Sequence, residues 1–171
     1  MANRDNPSGL HPRYRIGGGT ICTEDVVLAA ANAIIGVGDP LIQTAAGLWD
    51  RAAAADRIGA IAAGSAAASS GATIPAYKDP NIVFSCQTDD GAGTATARTA
   101  VNLNIDFLVT AATGGVSNVE LDESSAAATA ALPFKIRELY PSVDNAFGEF
   151  NELLVTINNH IEKGGTGTVG V

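Results

Sequence analysis

Apolar and polar residues alternate along three stretches in the second half of the chain, at 101–109, 132–139 and 153–161. Successive side chains of a β-strand point to opposite faces of the sheet, so the alternation predicts strands with one buried face and one polar face. We therefore predict a mainly β fold, either a small antiparallel β-barrel or a β-sandwich. The side chains expected to point inward are Val101, Leu103, Ile105, Phe107, Val109, Leu132, Phe134, Ile136, Leu153, Val155, Ile157 and Ile161. Those expected to point outward are Asn102, Asn104, Asp106, Lys135, Arg137, Thr156, Asn158 and His160.

The first half of the chain carries a weaker pattern. Short apolar runs between residues 20 and 43 are interrupted by glycine and proline, which favours strands over one long helix. The alanine-rich stretch 45–75 has high helix propensity, yet glycines break it. Here we predict a strand at Arg57–Ala63 followed by a loop, with a short helix near Trp49–Ala55 as the alternative.

Both ends of the chain lack a strand pattern. Residues 1–19 indicate an extended N-terminal arm, because Pro7 and Pro12 disfavour helix and four glycines loosen the backbone. Ordering such an arm is entropically costly without a neighbour, so we expect deletion of residues 1–15 to leave a folded body. Residues 20–162 would form a single β-rich domain, and 163–171 a flexible C-terminal tail.

Charge is unevenly distributed between the arm and the body. The whole chain carries a net charge of −8, whereas residues 1–19 carry three arginines against one aspartate, which is +2 and leaves −10 for the rest. An acidic body is a poor ligand for nucleic acid, since binding phosphates requires clustered Lys and Arg. A basic arm on an acidic body suggests that the arm docks on a partner. The candidate partner-binding residues are Arg4, Arg13, Tyr14 and Arg15.

No segment of the sequence predicts a membrane or secretory address. The N-terminus lacks the apolar region of a signal peptide. No apolar run approaches the roughly 18–20 residues that a membrane span requires. We expect a soluble protein, made in a cytoplasm, that binds no membrane.

The stretch DPNIVFSCQTDDG, residues 79–91, is the strongest candidate for chemistry. On a strand, Cys86 shares the apolar face of Ile82 and Phe84, where a free thiol behaves as a small hydrophobic group. A reactive thiolate would need a nearby cation or histidine, and the sequence supplies only His11 and His160. We interpret the stretch as a strand and its turn, with a Cys–His nucleophile as the alternative.

Asp89 and Asp90 precede a glycine, which is typical of a turn. A weak calcium site is the alternative, although the ligand spacing of a dedicated calcium loop is missing. Cys22 and Cys86 form no framework, so we predict two free buried thiols, with one disulfide as the alternative.

Two other features have a structural and a functional interpretation. GTGTVG at 165–170 fits a nucleotide-binding glycine pattern, but only Val171 follows it in the sequence, so no helix can follow the glycines. We therefore interpret the motif as part of the C-terminal tail. Trp49 is expected to be a packing or subunit contact rather than a ligand platform. We expect no catalytic residue, no metal and no cofactor.

Four segments, read in order, resemble a family of tailed-bacteriophage proteins that decorate or cement the capsid. They are MANRDNPSGLHPRYRIGGG at 1–19, YKDPNIVFSCQTDD at 77–90, VNLNIDFLV with GGVSNVELD at 101–122, and LPFKIRELYPSVDNAFGEFNELLVTINNH at 132–160. The alanine-rich middle of the chain departs from this family.

The resemblance implies a compact, non-enzymatic β domain on the outside of a phage head, usually a homotrimer at local threefold positions. It also implies an arm that reaches the major capsid protein or a neighbouring copy, and localisation in the virion. Other functional classes remain open from the residues alone. They are a head or tail fibre module, a tail-tube subunit, a sugar-binding or other ligand-binding β domain, and a small enzyme.

Overall fold

Residues 3–89, 95–163 and 167–170 are described in the computed structural model of the chain, and they form two antiparallel sheets. The six-stranded sheet has the order β1 (His11–Arg15), β7 (Ile82–Gln87), β11 (Glu152–Ile157), β10 (Phe134–Leu139), β8 (Asn104–Leu108) and β9 (Glu120–Ala127). The five-stranded sheet has the order β2 (Glu24–Val27), β6 (Thr73–Tyr77), β5 (Ala60–Ala62), β3 (Pro40–Gln43) and β4 (Trp49–Arg51). The mainly β prediction is confirmed; the sheets are not closed into a barrel, and the arrangement is sandwich-like.

The three stretches of alternating residues form β8, β10 and β11, as predicted. Ile105 and Phe107 of β8 are 0% and 1% exposed, and the Phe107 ring packs edge-on against Phe134 with 5.7 Å between centroids. β8 is shorter than its pattern because Asn102 takes a positive φ of 74°, which ends extended pairing on that side. At the other end Val109 is 38% exposed, so its predicted inward position is wrong.

The expected polar outer face is wrong at four positions. Asn104, Thr156, Asn158 and His160 are between 0% and 6% exposed. Three of these side chains are buried because they bond to the backbone of other segments: Asn104 and Asn158 reach the loop after β9, and His160 reaches Gly59. Polar residues at alternate positions of a strand can thus be buried when their side chains hydrogen-bond to the backbone of other segments.

The alanine-rich middle is extended, so the strand prediction is confirmed and the helix alternative is wrong. β4 replaces the possible helix near Trp49, and β5 occupies part of the predicted strand at Arg57–Ala63. A Cβ on Gly59 would lie 2.6 Å from both the Trp49 ring and Ile161 Cδ1. Tertiary contacts of this closeness override the helix propensity of alanine, because only the smallest residues fit between the segments.

Most of the predicted N-terminal arm belongs to the body. Leu10 is 1% exposed in the larger hydrophobic core, and its N–H donates to Gly38 O at 3.0 Å. Residues 11–15 form the edge strand β1, which pairs with β7. The segment is therefore ordered by its own sheet, and the expectation that residues 1–15 are dispensable for folding does not fit this packing.

The described part of the predicted C-terminal tail is also bound to the sheet. Asn158 Oδ1 accepts hydrogen bonds from the N–H and hydroxyl of Thr168, at 3.0 and 2.9 Å. Asn104 Nδ2 donates to Thr168 O at 2.7 Å, and Gly170 N–H donates to Ala128 O. Residues 167–170 thus follow a fixed course rather than that of a free tail, because two buried amides satisfy their backbone groups.

Replacing Leu10 tests whether the N-terminal segment is part of the core. We expect Leu10→Ala to lower the free energy of unfolding by about 2–4 kcal/mol, since it removes buried methyl groups and leaves a cavity. The matched control is Ile16→Ala, because Ile16 is 43% exposed and should cost less than about 0.5 kcal/mol. Urea denaturation measures both, and equal effects would contradict the assignment of Leu10 to the core.

Asn158 supplies a second test, at the C-terminal segment. Its side chain also donates to Ala130 O and Leu132 O, so Asn158→Ala should destabilise the protein by about 1–3 kcal/mol. It should also accelerate hydrogen exchange of the Thr168 amide. Asn118→Ala removes an amide that bonds to Ala111 O and should leave that exchange rate unchanged. Protection of Thr168 that survives Asn158→Ala would refute this role.

Candidate functional site

A cleft of about 430 Å³ lies between the N-terminal segment, the end of β7 and the loop that joins β10 to β11. We call it the N-terminal cleft. It forms because Cys86 and Gln87 at the end of β7 stand opposite Leu153 and Glu152 at the start of β11. Its wall includes the polar residues Arg4, Asn6, Gln87, Ser142 and Asp144 and the aromatic residue Phe150.

Arg13, a predicted partner-binding residue, is held by the protein's own side chains at this cleft. Its Nε donates to Ser85 Oγ at 2.7 Å, and its Nη2 lies 2.9 Å from Glu152 Oε1. The guanidinium lies 4.3 Å from the centroid of the Tyr140 ring. These contacts tie β1 across β7 to β11, so Arg13 is a bracing residue.

The other three predicted partner residues separate into one bound and two exposed side chains. Arg15 forms an ion pair with Asp79 and also donates to Gly18 O at 3.0 Å. Arg4 lies exposed on the rim of the N-terminal cleft, and Tyr14 is 49% exposed on β1. The structure therefore brings Arg4 and Arg13 to one cleft, while only Arg4 and Tyr14 are open to a partner.

The thiol of Cys86 behaves as the hydrophobic interpretation predicted. Cys86 is 1% exposed, and burial, with smaller effects from Glu120 and Glu152, raises its pKa far above the ordinary thiol value. The thiol therefore stays protonated at neutral pH and is a poor nucleophile. Cys22 is exposed, so the prediction of two buried thiols is wrong for that residue; both thiols are free.

The two histidines are engaged elsewhere. His160 is 1% exposed, its Nε2 lies 3.1 Å from Gly59 O, and its Nδ1 accepts from Glu162 N–H at 3.1 Å. Burial lowers the pKa of His160, which favours the neutral ring. His11 lines the N-terminal cleft with Nε2 2.8 Å from Ser8 Oγ, and burial, then the Arg13 charge, lowers its pKa.

Asp89 lies beside a carboxyl group that the sequence analysis did not single out. Glu123 of β9 is 4% exposed, and its N–H reaches Asp89 Oδ1 at 3.4 Å. Burial raises the pKa of Glu123 to about 9, and the proximity of Asp89 adds to the effect. The available signal was the alternation in ELDESS, which places Glu123 on the same face as Leu121.

The calcium alternative at DDG concerns residues that are only partly described. Asp90 and Gly91 lie outside the described residues. Within 3–89, 95–163 and 167–170, no group of three or more His, Cys, Asp or Glu side chains is arranged to hold a metal ion.

The remaining sequence candidates are packing elements. Trp49 is 5% exposed in the smaller core, with Lys78 Nζ 5.8 Å from the centre of its ring system, so the packing interpretation is confirmed. Of the GTGTVG motif, residues 167–170 are described, and their backbone is bound by Asn104 and Asn158 as set out above. Gly165 and Thr166 lie outside the described residues.

Two segments expose aliphatic side chains next to each other on the surface. Val37 and Val116 are partners in a parallel bridge, with Val37 N–H donating to Gly115 O and Ser117 N–H donating to Val37 O. Their exposed fractions are 38% and 45%, and Ile34 on the first segment is 44% exposed. We call Val37 and Val116 the valine patch.

Comparisons of the chain with protein-family models, with curated protein sequences and with solved structures find no match. Among the helices of the described residues, none is both long enough and apolar enough to cross a bilayer.

The pKa of Glu123 generates a pH-dependent prediction. As the pH rises above about 4.5, the unfolded chain releases this proton while the folded protein keeps it up to about pH 9, so stability falls across that interval. Glu123→Gln cannot ionise, so it should raise the melting temperature by at least about 2 °C near pH 8 and much less near pH 5.

The control is Glu149→Gln, which makes the same chemical change at an exposed position. Its melting temperature should follow that of the parent protein at both pH values. A gain for Glu123→Gln that is as large near pH 5 as near pH 8 would show that the carboxyl group is not held protonated in the fold.

Proposed function

We propose that this chain is a tailed-bacteriophage capsid decoration protein that binds the outer surface of the head and stabilises the shell without enzymatic chemistry. The ordered resemblance of four segments, which together make up about half of the chain, is the observation that carries the proposal. Its partners would be the major capsid protein and further copies of itself, as a homotrimer, and its location the virion surface.

The two-sheet body supports a binding role through its surface. The valine patch places two aliphatic side chains in water on adjacent segments, and adjacent exposed apolar groups are typical of protein contacts. The body carries excess negative charge, which disfavours a nucleic-acid partner. The patch is therefore the first candidate for the contact between copies.

The N-terminal segment has a smaller part in this proposal than the sequence suggested. Residues 10–15 are committed to the core and to β1, and Arg13 and Arg15 are paired within the chain. Arg4 and Tyr14 remain accessible for contact with the capsid. Attachment would then combine the valine patch with these two side chains, and three linked copies would multiply a weak contact by avidity.

Particle mass distinguishes this proposal from the other virion roles. A decoration protein of this kind forms discrete trimers, with three times the chain mass of 17.3 kDa, whereas a tail-tube subunit forms rings or polymers. Size-exclusion chromatography with light scattering separates these outcomes.

A substitution in the valine patch tests the proposed contact between copies. We expect Val116→Asp to convert trimers to monomers and to reduce co-sedimentation with phage heads at least tenfold, because a charge would be desolvated at the contact. The heads are those assembled from the major capsid protein of the same genome. The resulting monomer should remain folded, because the Val116 side chain is exposed.

The matched control is Val143→Asp, at a fully exposed position in the loop between β10 and β11. It should keep both the trimer and the binding to heads. Full-length protein that neither forms trimers nor sediments with heads would refute the proposal.

A further inference from the structure

The wall of the N-terminal cleft contains hydrogen-bonding side chains that the fold does not use. Arg4, Asn6, Ser142 and Asp144 have no side-chain hydrogen bond or ion pair within the described part of the chain. By contrast, the Asn145 amide on the same wall is occupied, because it donates to Tyr140 O and Glu152 O at 2.8 Å each. One side of the cleft thus has polar groups that are bonded within the fold, and the other has polar side chains that face solvent.

Gln87 connects the two sides of the cleft. Its Oε1 accepts from Asn6 N–H at 3.0 Å, which fixes the amide at the end of β7. Its Nε2 is buried and has no acceptor among the described residues. A buried donor without a partner is unfavourable, so an acceptor that reached this group would gain affinity.

The polar side chains on the solvent-facing side of the cleft have a mixed chemical character. Arg4 is cationic and Asp144 anionic, so this side of the cleft carries no net charge, while Asn6 and Ser142 each donate and accept. Phe150 adds an aromatic ring to the same wall. A neutral ligand that carries several groups able both to donate and to accept, and that offers one apolar face, matches these side chains.

We propose that the N-terminal cleft binds a neutral saccharide. Ring hydroxyls both donate and accept, so vicinal pairs of hydroxyls suit the planar groups of Asn6, Asp144 and Arg4. The C–H face of a pyranose ring would lie against Phe150. The volume of about 430 Å³ falls in the range of small-molecule sites and accommodates one or two sugar rings.

An extended peptide is less suited to this cleft. Strand addition needs a regular row of backbone donors and acceptors at a sheet edge. β1, the edge strand beside the cleft, contains Pro12, which has no N–H, and its register with β7 shifts between Pro12 and Tyr14. The free polar groups of the cleft are side chains and do not form a row of backbone donors and acceptors.

Saturation-transfer NMR on the full-length protein tests the proposal with four probes: D-glucose, D-galactose, D-mannose and N-acetyl-D-glucosamine. At millimolar sugar, we expect at least one probe to receive magnetisation and to shift the Gln87 side-chain amide resonances. Asp144→Ala removes an anionic acceptor from an exposed loop, so it should weaken that binding about tenfold while leaving the melting temperature unchanged.

Glu149→Gln, outside the lining residues, is the control and should bind as the parent protein does. Absence of transfer from all four sugars would overturn the proposal, and so would binding that is indifferent to Asp144→Ala. Sedimentation of Asp144→Ala with phage heads reports on the capsid role separately, and a sugar site distinct from that role leaves it intact.

Discussion

The pairing of β7 with β11 is the constraint on which the rest of the structure depends. Five pairs of residues, from Glu152 opposite Gln87 to Thr156 opposite Val83, join these two strands, which are neighbours within the six-stranded sheet. Phe84 and Val155 are fully buried partners in this ladder. The register also places Glu152 and Gln87 together at one end, so the N-terminal cleft has its floor where this ladder stops.

The second constraint is the contact that joins the two sheets. The backbone of Ile58 bonds on one side to Asn159 and on the other to Ile161, and the ring of His160 reaches Gly59. A ring that is buried, neutral and bonded through both nitrogens holds the end of the six-stranded sheet against the five-stranded one. His160, which the alternation places on the outer face of a strand, therefore lies buried at the contact between the two sheets.

The sequence predicted β8, β10 and β11 because they lie in a sheet with one strongly apolar face, where period-2 alternation survives. It did not predict β9, whose residues are rich in turn formers. It could not predict which polar residues are buried, since alternation says that Asn158 points away from Ile157, not that the C-terminal segment will cover it. The same limit applies to Glu123, whose environment depends on Asp89, 34 residues away in the chain. A local sequence pattern indicates on which face of a strand a side chain lies. Whether a polar side chain is buried depends instead on hydrogen-bond partners that are distant in the sequence.

The N-terminal residues show how composition can mislead about function. Arginine, proline and glycine in a terminal segment suggested a free basic tether, yet the same residues also suit an edge strand, where proline and a bulge limit further pairing. Arg13 and Arg15 form ion pairs with Glu152 and Asp79 of the acidic body. Part of the positive charge of the N-terminal segment is therefore neutralised within the molecule. A binding role must therefore rest on side chains that the fold leaves unpaired, and Arg4, Tyr14 and the valine patch meet that condition among the described residues.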